Sequence, residues 1–209
     1  MIEISASILA ANILNLEQEI KIAANAGIDR IHIDIMDGHY VKNISFGSSV
    51  IPAIAKLDLN LPLDIHLMTT CTNELIQQCA TKHVSSISFH PETLKDPVKA
   101  IQKIQGNGIS AGIAINPKDQ IKDLKGLIEL ADEVLLMAVI PGACGQAFMP
   151  EVLEKITEIK ELFNGKIVID GGIKPAICKS LAVDCVVAGS ALFYGDIENN
   201  FAEFAHYCK

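Results

Sequence analysis

The sequence predicts a (β/α)8 barrel, also called a TIM barrel, on three observations. Short apolar segments typical of buried strands alternate from end to end with amphipathic segments of helical periodicity. Eight such strand–helix pairs recur at intervals of roughly 25 residues, the number that closes a barrel. No linker or low-complexity segment interrupts residues 1–209, so a single domain is expected. An open, doubly wound sheet is the alternative, but it explains the number of units less well.

The predicted strands are apolar runs that end at turn residues. They are Ile2–Ile8, Ile28–Ile35, Leu63–Leu67, Val84–Phe89, Ser110–Ile115, Glu133–Val139, Lys166–Ile169 and Cys185–Ala188.

Capping signals place helices between these strands. Asn15, with Gln18 in the capping-box position, predicts the start of the first long helix. Asp96 before a proline predicts another helix, with Val98 on its buried stripe. Pro150 predicts the start of a well-patterned helix that ends at Asn164-Gly165. Shorter helices are expected near 51–56 and between the last two strands, and a final helix near 196–207.

The overall composition indicates a protein with a large core and an acidic surface. Half of the residues are hydrophobic, the mean hydropathy is +0.33 and the net charge is −8. This charge disfavours binding to nucleic acid or an anionic membrane, but not binding of an anionic substrate. The six cysteines lack metal-site spacing, which is typical of a reducing compartment. Without a basic leader or an apolar run of 18 residues, we expect a cytoplasmic protein.

The segment Arg30–Gly38 carries the first candidate site residues. Isoleucines alternate with other side chains, which predicts a strand with His32 and Asp34 on one face. The turn signal Asp37-Gly38 places both at the C-terminal end of that strand. An imidazole and a carboxylate about 7 Å apart along a strand can bind one metal ion. A half-exposed strand with a polar outer face is the other interpretation.

Further ligand types occur at the C-terminal strand ends, where barrels of this class carry their chemistry. His66 lies near the end of the third predicted strand, and Asp170 follows the apolar run of the seventh. With His32 and Asp34 they form a set suited to a Zn, Fe, Mn or Co ion with an open position for a substrate oxygen. Alternatively, His66 is a hydrogen-bonded core residue and Asp170 caps a turn. His90 is assigned a supporting or structural role.

Glycine-rich turns follow the last three strands, and such turns can direct backbone N–H groups at a phosphate. The other interpretation is that the glycines only make tight turns. The residues concerned are Gly142, Ala143, Cys144 and Gly145 within Pro141–Gln146, Gly171 and Gly172 after Asp170, and Gly189 with Ser190.

Three methionines, Met36, Met68 and Met137, lie at or near strand ends. Methionine usually fills gaps in a core. As a secondary hypothesis, these side chains form an apolar wall beside a planar intermediate.

A set of motifs spread over nearly the whole chain gives a family resemblance. The motifs are Ser5–Leu9, His32–Gly38 with Asn43 beyond, Asp64–Met68, Phe89–Glu92, Pro141-Gly142 with Gly145-Gln146, Asp170–Gly172 and Ala188–Ser190. Together they resemble those of the ribulose-phosphate 3-epimerase family.

The resemblance implies a metal-dependent isomerase of the pentose phosphate pathway, a cytoplasmic homo-oligomer that interconverts D-ribulose 5-phosphate and D-xylulose 5-phosphate. It implies one divalent metal per subunit, bound by His32, Asp34, His66 and Asp170. It also implies that the two aspartates exchange the proton at C3. Ser7 and His66 are then expected to contact the phosphorylated ketose, and the late glycine loops its phosphate.

The sequence departs from the family pattern mainly in one loop. Ile140 stands where an acidic residue usually precedes Pro-Gly, and Ala143 and Cys144 replace Phe-Gly. Lys42 replaces a proline, and the segment from Asp170 to the last glycine turn is a few residues short. No candidate ligand is lost, so the departures concern the shape of the phosphate loop. A positive φ at Cys144 would be strained.

Three other functions are weighed against this one. The first is 3-epimerisation of a ketohexose phosphate such as allulose 6-phosphate, with the same site. The second is a phosphosugar lyase or decarboxylase, but those relatives use Asp-x-Lys where this chain has Asp64-Ile65-His66. The third is a phosphosugar-binding barrel without catalysis.

Overall fold

A computed structural model describes residues 1–209 as a closed barrel of eight parallel strands in sequential order, with β8 pairing to β1. The predicted (β/α)8 barrel is confirmed, and the open-sheet alternative is excluded. The strands are β1 Glu3–Ser7, β2 Arg30–Met36, β3 Leu63–Met68, β4 Val84–Phe89, β5 Ser110–Ile115, β6 Glu133–Met137, β7 Lys166–Asp170 and β8 Cys185–Ala188.

Helices connect successive strands around the outside of the barrel. Between β7 and β8 the connection is a 3₁₀ helix, Pro175–Ser180. No helix of the chain is both long and apolar enough to cross a membrane. The α-helices are α1 Leu16–Ala26, α2 Val50–Ala55, α3 Thr72–Cys79, α4 Pro97–Gln105, α5 Ile121–Ile128, α6 Leu153–Leu162, α7 Ser190–Phe193 and α8 Ile197–Cys208.

Two predicted strand boundaries were wrong by two residues. Ile28 precedes β2, because Gly27 ends α1 with φ 111° and the backbone N–H of Ile28 still donates to Ala23. Val139 lies beyond β6, since the chain turns away after Met137 toward the glycine-rich loop.

Asn15 directly precedes α1, as predicted, but the side-chain cap expected there was wrong. Its side chain makes no capping hydrogen bond, because a 3₁₀ turn, Ile13–Asn15, precedes α1. The cap lies three residues earlier: Asn12 accepts from the N–H of Leu14, and Glu19 accepts from the N–H of Asn12 at 2.8 Å. The side chains of Asn12 and Glu19 thus accept hydrogen bonds from backbone N–H groups that have no partner within a helix.

Two other helix predictions had mixed outcomes. Asp96 caps α4 as predicted, accepting from the N–H of Lys99 at 3.2 Å. Val98 is 36% exposed, and Ala100 is buried in its place. Pro150 begins a 3₁₀ turn that leads into α6, rather than α6 itself.

The interior of the barrel has a polar half and an apolar half. Side chains at alternate strand positions share one face, and on β1 to β4 these buried positions are polar. They are Ser5, Ser7, His32, Asp34, Asp64, His66, Ser86 and Ser88. From β5 to β8 and the residues just after β6, a separate interior cluster is apolar: Ala114, Leu135, Met137, Val139, Val168, Cys185 and Val187. The polar side chains are therefore on neighbouring strands, and those nearest the C-terminal strand ends lie at the mouth of the barrel.

Candidate active site

The four predicted metal ligands lie together at the C-terminal mouth. Their ligand atoms are all within 4.8 Å of one another. Asp34 on β2 is paired in register with His66 on β3. Asp170 ends β7, and barrel closure through β8 and β1 brings it to the same place. His32, two residues before Asp34, completes the cluster.

Distances within the cluster are those of close polar neighbours. His66 Nδ1 is 3.0 Å from Asp34 Oδ1 and 4.0 Å from Asp170 Oδ2. His32 Nε2 is 3.4 Å from Asp34 Oδ1. Both histidines are almost fully buried, and so is Asp34.

The surroundings of His32 fit a metal-binding imidazole. Its Nδ1 is 3.0 Å from Asp64 Oδ2, and the hydroxyl of Ser5 donates to the Asp64 carboxylate at 3.0 and 3.1 Å. Its Nε2 is buried and has no hydrogen-bond partner. Carboxylates that hold the second ring nitrogen commonly orient metal-binding histidines. The cluster of two imidazoles and two carboxylates could therefore hold a metal ion.

The two candidate catalytic carboxylates differ strongly in proton affinity. Burial raises the pKa of Asp170 to about 7, and the negative charge of Asp34 contributes to this rise. Burial alone would raise the pKa of Asp34, but attraction to His32 and the hydrogen bond with His66 hold it well below its ordinary value. Pairs of acids whose pKa values are pushed apart are typical of acid–base catalysis.

Burial and the nearby carboxylates also shift the pKa values of the two histidines. Burial disfavours the charged form of His32, yet the nearby Asp34 and Asp64 raise its pKa well above the ordinary value. At His66 burial prevails and lowers the pKa, although the hydrogen bond with Asp34 opposes it.

A cavity opens over the cluster. Asp34 and Asp170 line it, whereas His32 and His66 lie beneath and do not. Ser7 lines the cavity and donates its hydroxyl to Asp34 Oδ2 at 2.8 Å. The lining also contains every other predicted substrate-binding or apolar-wall residue: Gly142, Ala143, Cys144, Gly145, Gly171, Gly172, Gly189, Ser190, Met36, Met68 and Met137.

Some lining residues had no predicted role. Leu9 is two residues after Ser7, Val139 two after Met137, and Val187 two before Gly189. Only Val187 lies on a strand, where a period of two from a predicted site residue could have identified it; Leu9 lies in the 3₁₀ turn after β1 and Val139 beyond β6. Ile173 extends the turn after Asp170 and carried no such signal.

Side-chain hydrogen bonds from the loop itself and from a second loop hold the backbone of Pro141–Gln146. The side-chain amide of Gln146 donates to the carbonyl oxygens of Ile140 at 2.7 Å and Ala143 at 2.9 Å. Asn43, in the loop after β2, donates to the carbonyl of Gly142 at 2.6 Å. The backbone geometry of this loop is therefore fixed by two amide side chains.

Glycine is required at one turn near this loop. Gly172 has a φ of 65°, and a Cβ there would come within 2.4 Å of the backbone nitrogen of Phe148. Cys144, in contrast, is not among the non-glycine residues with positive φ, which are Asp58 and Asn60. The substitution of glycine by cysteine that the resemblance indicated is thus accommodated without backbone strain.

The three methionines have buried side chains around the cavity. Met36 and Met68 pack with Val41 in a small separate cluster, and Met137 belongs to the apolar half of the barrel. Each is 2–3% exposed and lines the cavity. The cavity that Asp34 and Asp170 line is therefore bordered in part by apolar side chains.

Comparisons with known proteins agree with the site. The model of the ribulose-phosphate 3-epimerase family matches residues 3–193. A ribulose-phosphate 3-epimerase of Buchnera aphidicola is 38% identical over 200 residues, covering 91% of this chain and 88% of the relative. The enzyme of the same name from Escherichia coli K12 is 34% identical over 198 residues, with the same coverage of 91% and 88%.

Among solved structures, a mutant tryptophan synthase α-subunit from Pyrococcus furiosus has a TM-score of 0.73 and covers 98% of this chain and 97% of its own. At 12% identity this likeness concerns the fold alone. The resemblance noted in the motifs is therefore confirmed by the family model and the two epimerases: the chain belongs to the ribulose-phosphate 3-epimerase family, and it is accordingly an isomerase.

Proposed function

We propose that this protein interconverts D-ribulose 5-phosphate and D-xylulose 5-phosphate by moving a proton at C3 between two carboxylates. The observation that carries the proposal is the convergence of Asp34 and Asp170, from β2 and β7, on one cavity with pKa values pushed apart. The names of the relatives support the choice of substrate.

The chemistry requires a base and an acid on opposite faces of the sugar. One carboxylate takes the proton from C3, and the C–H electron pair moves into the C2–C3 bond of a planar enediolate. The other carboxyl group returns a proton to the opposite face, which inverts C3. Without a bound cation, Asp34 is ionised at neutral pH, while Asp170 with a pKa of about 7 is present in both forms. The pair therefore holds a base and an acid at once.

A carboxylate is a weak base for a carbon-bound proton, so the site needs added positive charge. A Zn, Fe, Mn or Co ion held by the cluster His32, Asp34, His66 and Asp170 would stabilise the negative charge that develops on the substrate oxygens. The Ser5–Asp64 pair keeps His32 oriented for this role.

The remaining cavity residues bind and shield the sugar. We assign the phosphate to the backbone N–H groups of the loops that follow β6, β7 and β8, and a hydroxyl of the sugar to Ser7. The methionine walls exclude water from the enediolate, which would otherwise take up a proton on either face.

The test is uptake of deuterium at C3 from heavy water by the metal-loaded protein. We expect exchange with wild type and a loss of roughly 10²-fold to 10⁴-fold with Asp170→Asn. Bound metal is measured in both proteins, so that loss of the ion and loss of proton transfer are separated. Asp123→Asn, on the exposed side of α5, is the matched control.

The same assay distinguishes the rival functions. Faster turnover of allulose 6-phosphate than of ribulose 5-phosphate would assign the ketohexose reaction to this site. Absence of exchange with any phosphorylated ketose would leave a binding protein. Wild-type exchange by Asp170→Asn would refute the two-carboxylate mechanism.

A further inference from the structure

A chain of polar groups leads away from the cluster through the second ring nitrogen of His66. The Nε2 atoms of His66 and His90 are 3.0 Å apart, and both side chains are 0% exposed. His90 Nδ1 faces Glu92 Oε1 at 3.8 Å and has no hydrogen-bond partner. The ring of Tyr40 lies against the His90 ring with 4.7 Å between centroids.

Glu92 is fixed although its side chain is 45% exposed. Its Oε1 accepts a hydrogen bond from the hydroxyl of Tyr40 and another from the amide of Asn116, each at 2.7 Å. These donors come from the loops after β2 and β5, so the carboxylate is held beside His90 from two sides.

A cation at the cluster determines where the ring protons must lie. His66 Nδ1 is the nitrogen that faces the cluster, and a nitrogen that binds a cation carries no proton. In the neutral ring the proton is then on Nε2, where the neighbour is His90 Nε2. That atom has to be an acceptor, which puts the proton of His90 on Nδ1, facing Glu92.

We propose that His90, oriented by Glu92, is a positioning residue that holds the proton of His66 on Nε2 and so presents the Nδ1 lone pair to the cation. The carboxylate of Glu92 favours an N–H on His90 Nδ1 over a lone pair there. The N–H of His90 Nδ1 then points at Glu92 Oε1 across 3.8 Å, an electrostatic contact longer than a hydrogen bond. The inference rests on the proposed metal site.

The test is the affinity of metal-stripped protein for Co²⁺, measured by competition with a chelator and by the visible spectrum of the bound ion. We expect His90→Leu to weaken binding roughly 10-fold to 100-fold, as loss of a partner of a metal-binding histidine typically does. His90→Gln can accept at a similar position and should stay within about threefold of wild type. His83→Leu, at the exposed opposite end of β4, should bind as wild type does.

A second measurement removes the dependence on folding of the leucine variant. In the Zn²⁺-loaded protein, ¹⁵N chemical shifts should show protons on His66 Nε2 and His90 Nδ1. Glu92→Gln, which removes only the charge, should weaken Co²⁺ binding by a few-fold. Protonation of His90 at Nε2 in the loaded wild type would overturn the proposal, as would equal affinity of His90→Leu and wild type.

The two failures can be told apart. Wild-type protein that binds no Co²⁺ or Zn²⁺ would remove the proposed metal site, and this inference with it. Wild type that binds while the His90 and Glu92 variants bind equally well would overturn the positioning role alone.

Discussion

Asp34 and Asp170 show at the scale of one residue how environment assigns roles to identical groups. Both lie at the mouth of the barrel, where burial raises the pKa of a carboxyl. The imidazoles of His32 and His66 reverse this effect at Asp34, whereas the charge of Asp34 raises the pKa of Asp170 further. The difference between the two acids therefore comes from their neighbours and not from their own chemistry.

Asp37 is a third carboxylate whose pKa is set by its neighbours, and it lies outside the proposed reaction. It accepts hydrogen bonds from the N–H and hydroxyl of Thr70 at 2.7 and 2.8 Å, and from the N–H groups of His39 and Tyr40. Burial opposes the charged form, but these donors hold the pKa of Asp37 well below its ordinary value. The carboxylate thereby ties the loop after β2 to the end of β3.

We expect Asp37→Asn to lower the free energy of unfolding at pH 7 by about 1 kcal/mol, because an amide cannot accept all of these bonds. A folded-state pKa below the unfolded value gives stability that is present above the unfolded pKa and is lost as the pH falls. The difference from wild type should therefore shrink below the ordinary aspartate value of 3.8.

Urea unfolding at neutral pH and at about pH 3 measures this difference, with Asp123→Asn as the control on an exposed helix face. A difference that stays constant over this range would contradict the assignment of the charge to Asp37.

At the scale of an element, the loop after β6 is ordered by side chains and not by regular structure. Gln146 holds two of its carbonyl groups, and Asn43 a third. We expect Gln146→Ala to raise KM for the phosphorylated ketose roughly 10-fold, since lost hydrogen bonds of this kind cost about 1 kcal/mol each. The turnover number should change little, because we assign this loop to the phosphate and not to C3.

Steady-state kinetics test this, and Gln105→Ala is a matched control. Gln105 also donates two hydrogen bonds, to Leu130 and Asp132, but at the N-terminal end of the barrel. A fall in kcat with unchanged KM in Gln146→Ala would show that the loop acts on the reaction centre instead.

At the scale of the whole molecule, the division of the barrel interior concentrates charge at one place. Three of the buried polar residues of β1 to β4, His32, Asp34 and His66, lie in the cluster at the mouth. Asp170, from β7, adds a second carboxylate to it. Two buried acids so close together repel each other unless a proton or a cation lies between them. A bound cation should therefore stabilise the fold as well as the reaction.

We expect removal of the metal with a chelator to lower Tm by about 5 to 10 °C. An ion at about 100 times its Kd contributes about 2.7 kcal/mol, and each kcal/mol shifts Tm by about 2–4 °C in a domain of this size. Scanning calorimetry with Zn²⁺, Mn²⁺ or Co²⁺ restored should recover the loss. Mg²⁺, which prefers oxygen ligands, is the ionic-strength control; an equal effect of Mg²⁺, or no effect of any ion, would contradict the metal site.

Much of this architecture follows from local pattern. The period of two in Arg30–Met36 and the apolar runs that end in turns predicted all eight strands, and the Asp96 cap predicted one helix start. The errors arose where two local signals compete. Asn12 and Asn15 are both capable caps, and only the 3₁₀ turn between them decides which one is used.

The sequence by itself determined that His32 and Asp34 share a face, that Asp170 ends an apolar strand, and that glycine turns follow the last three strands, because these are properties of neighbours along the chain. Only the tertiary structure decided that pairing of β8 with β1 brings the ends of β2 and β7 to one mouth, and that Asp34 and Asp170 take opposite pKa shifts. It also decided that Glu92 faces the His90 ring next to His66. Proximity across a closed barrel depends on strand register, and pKa depends on burial and on charges contributed by other strands. Neither quantity is a property of any one segment.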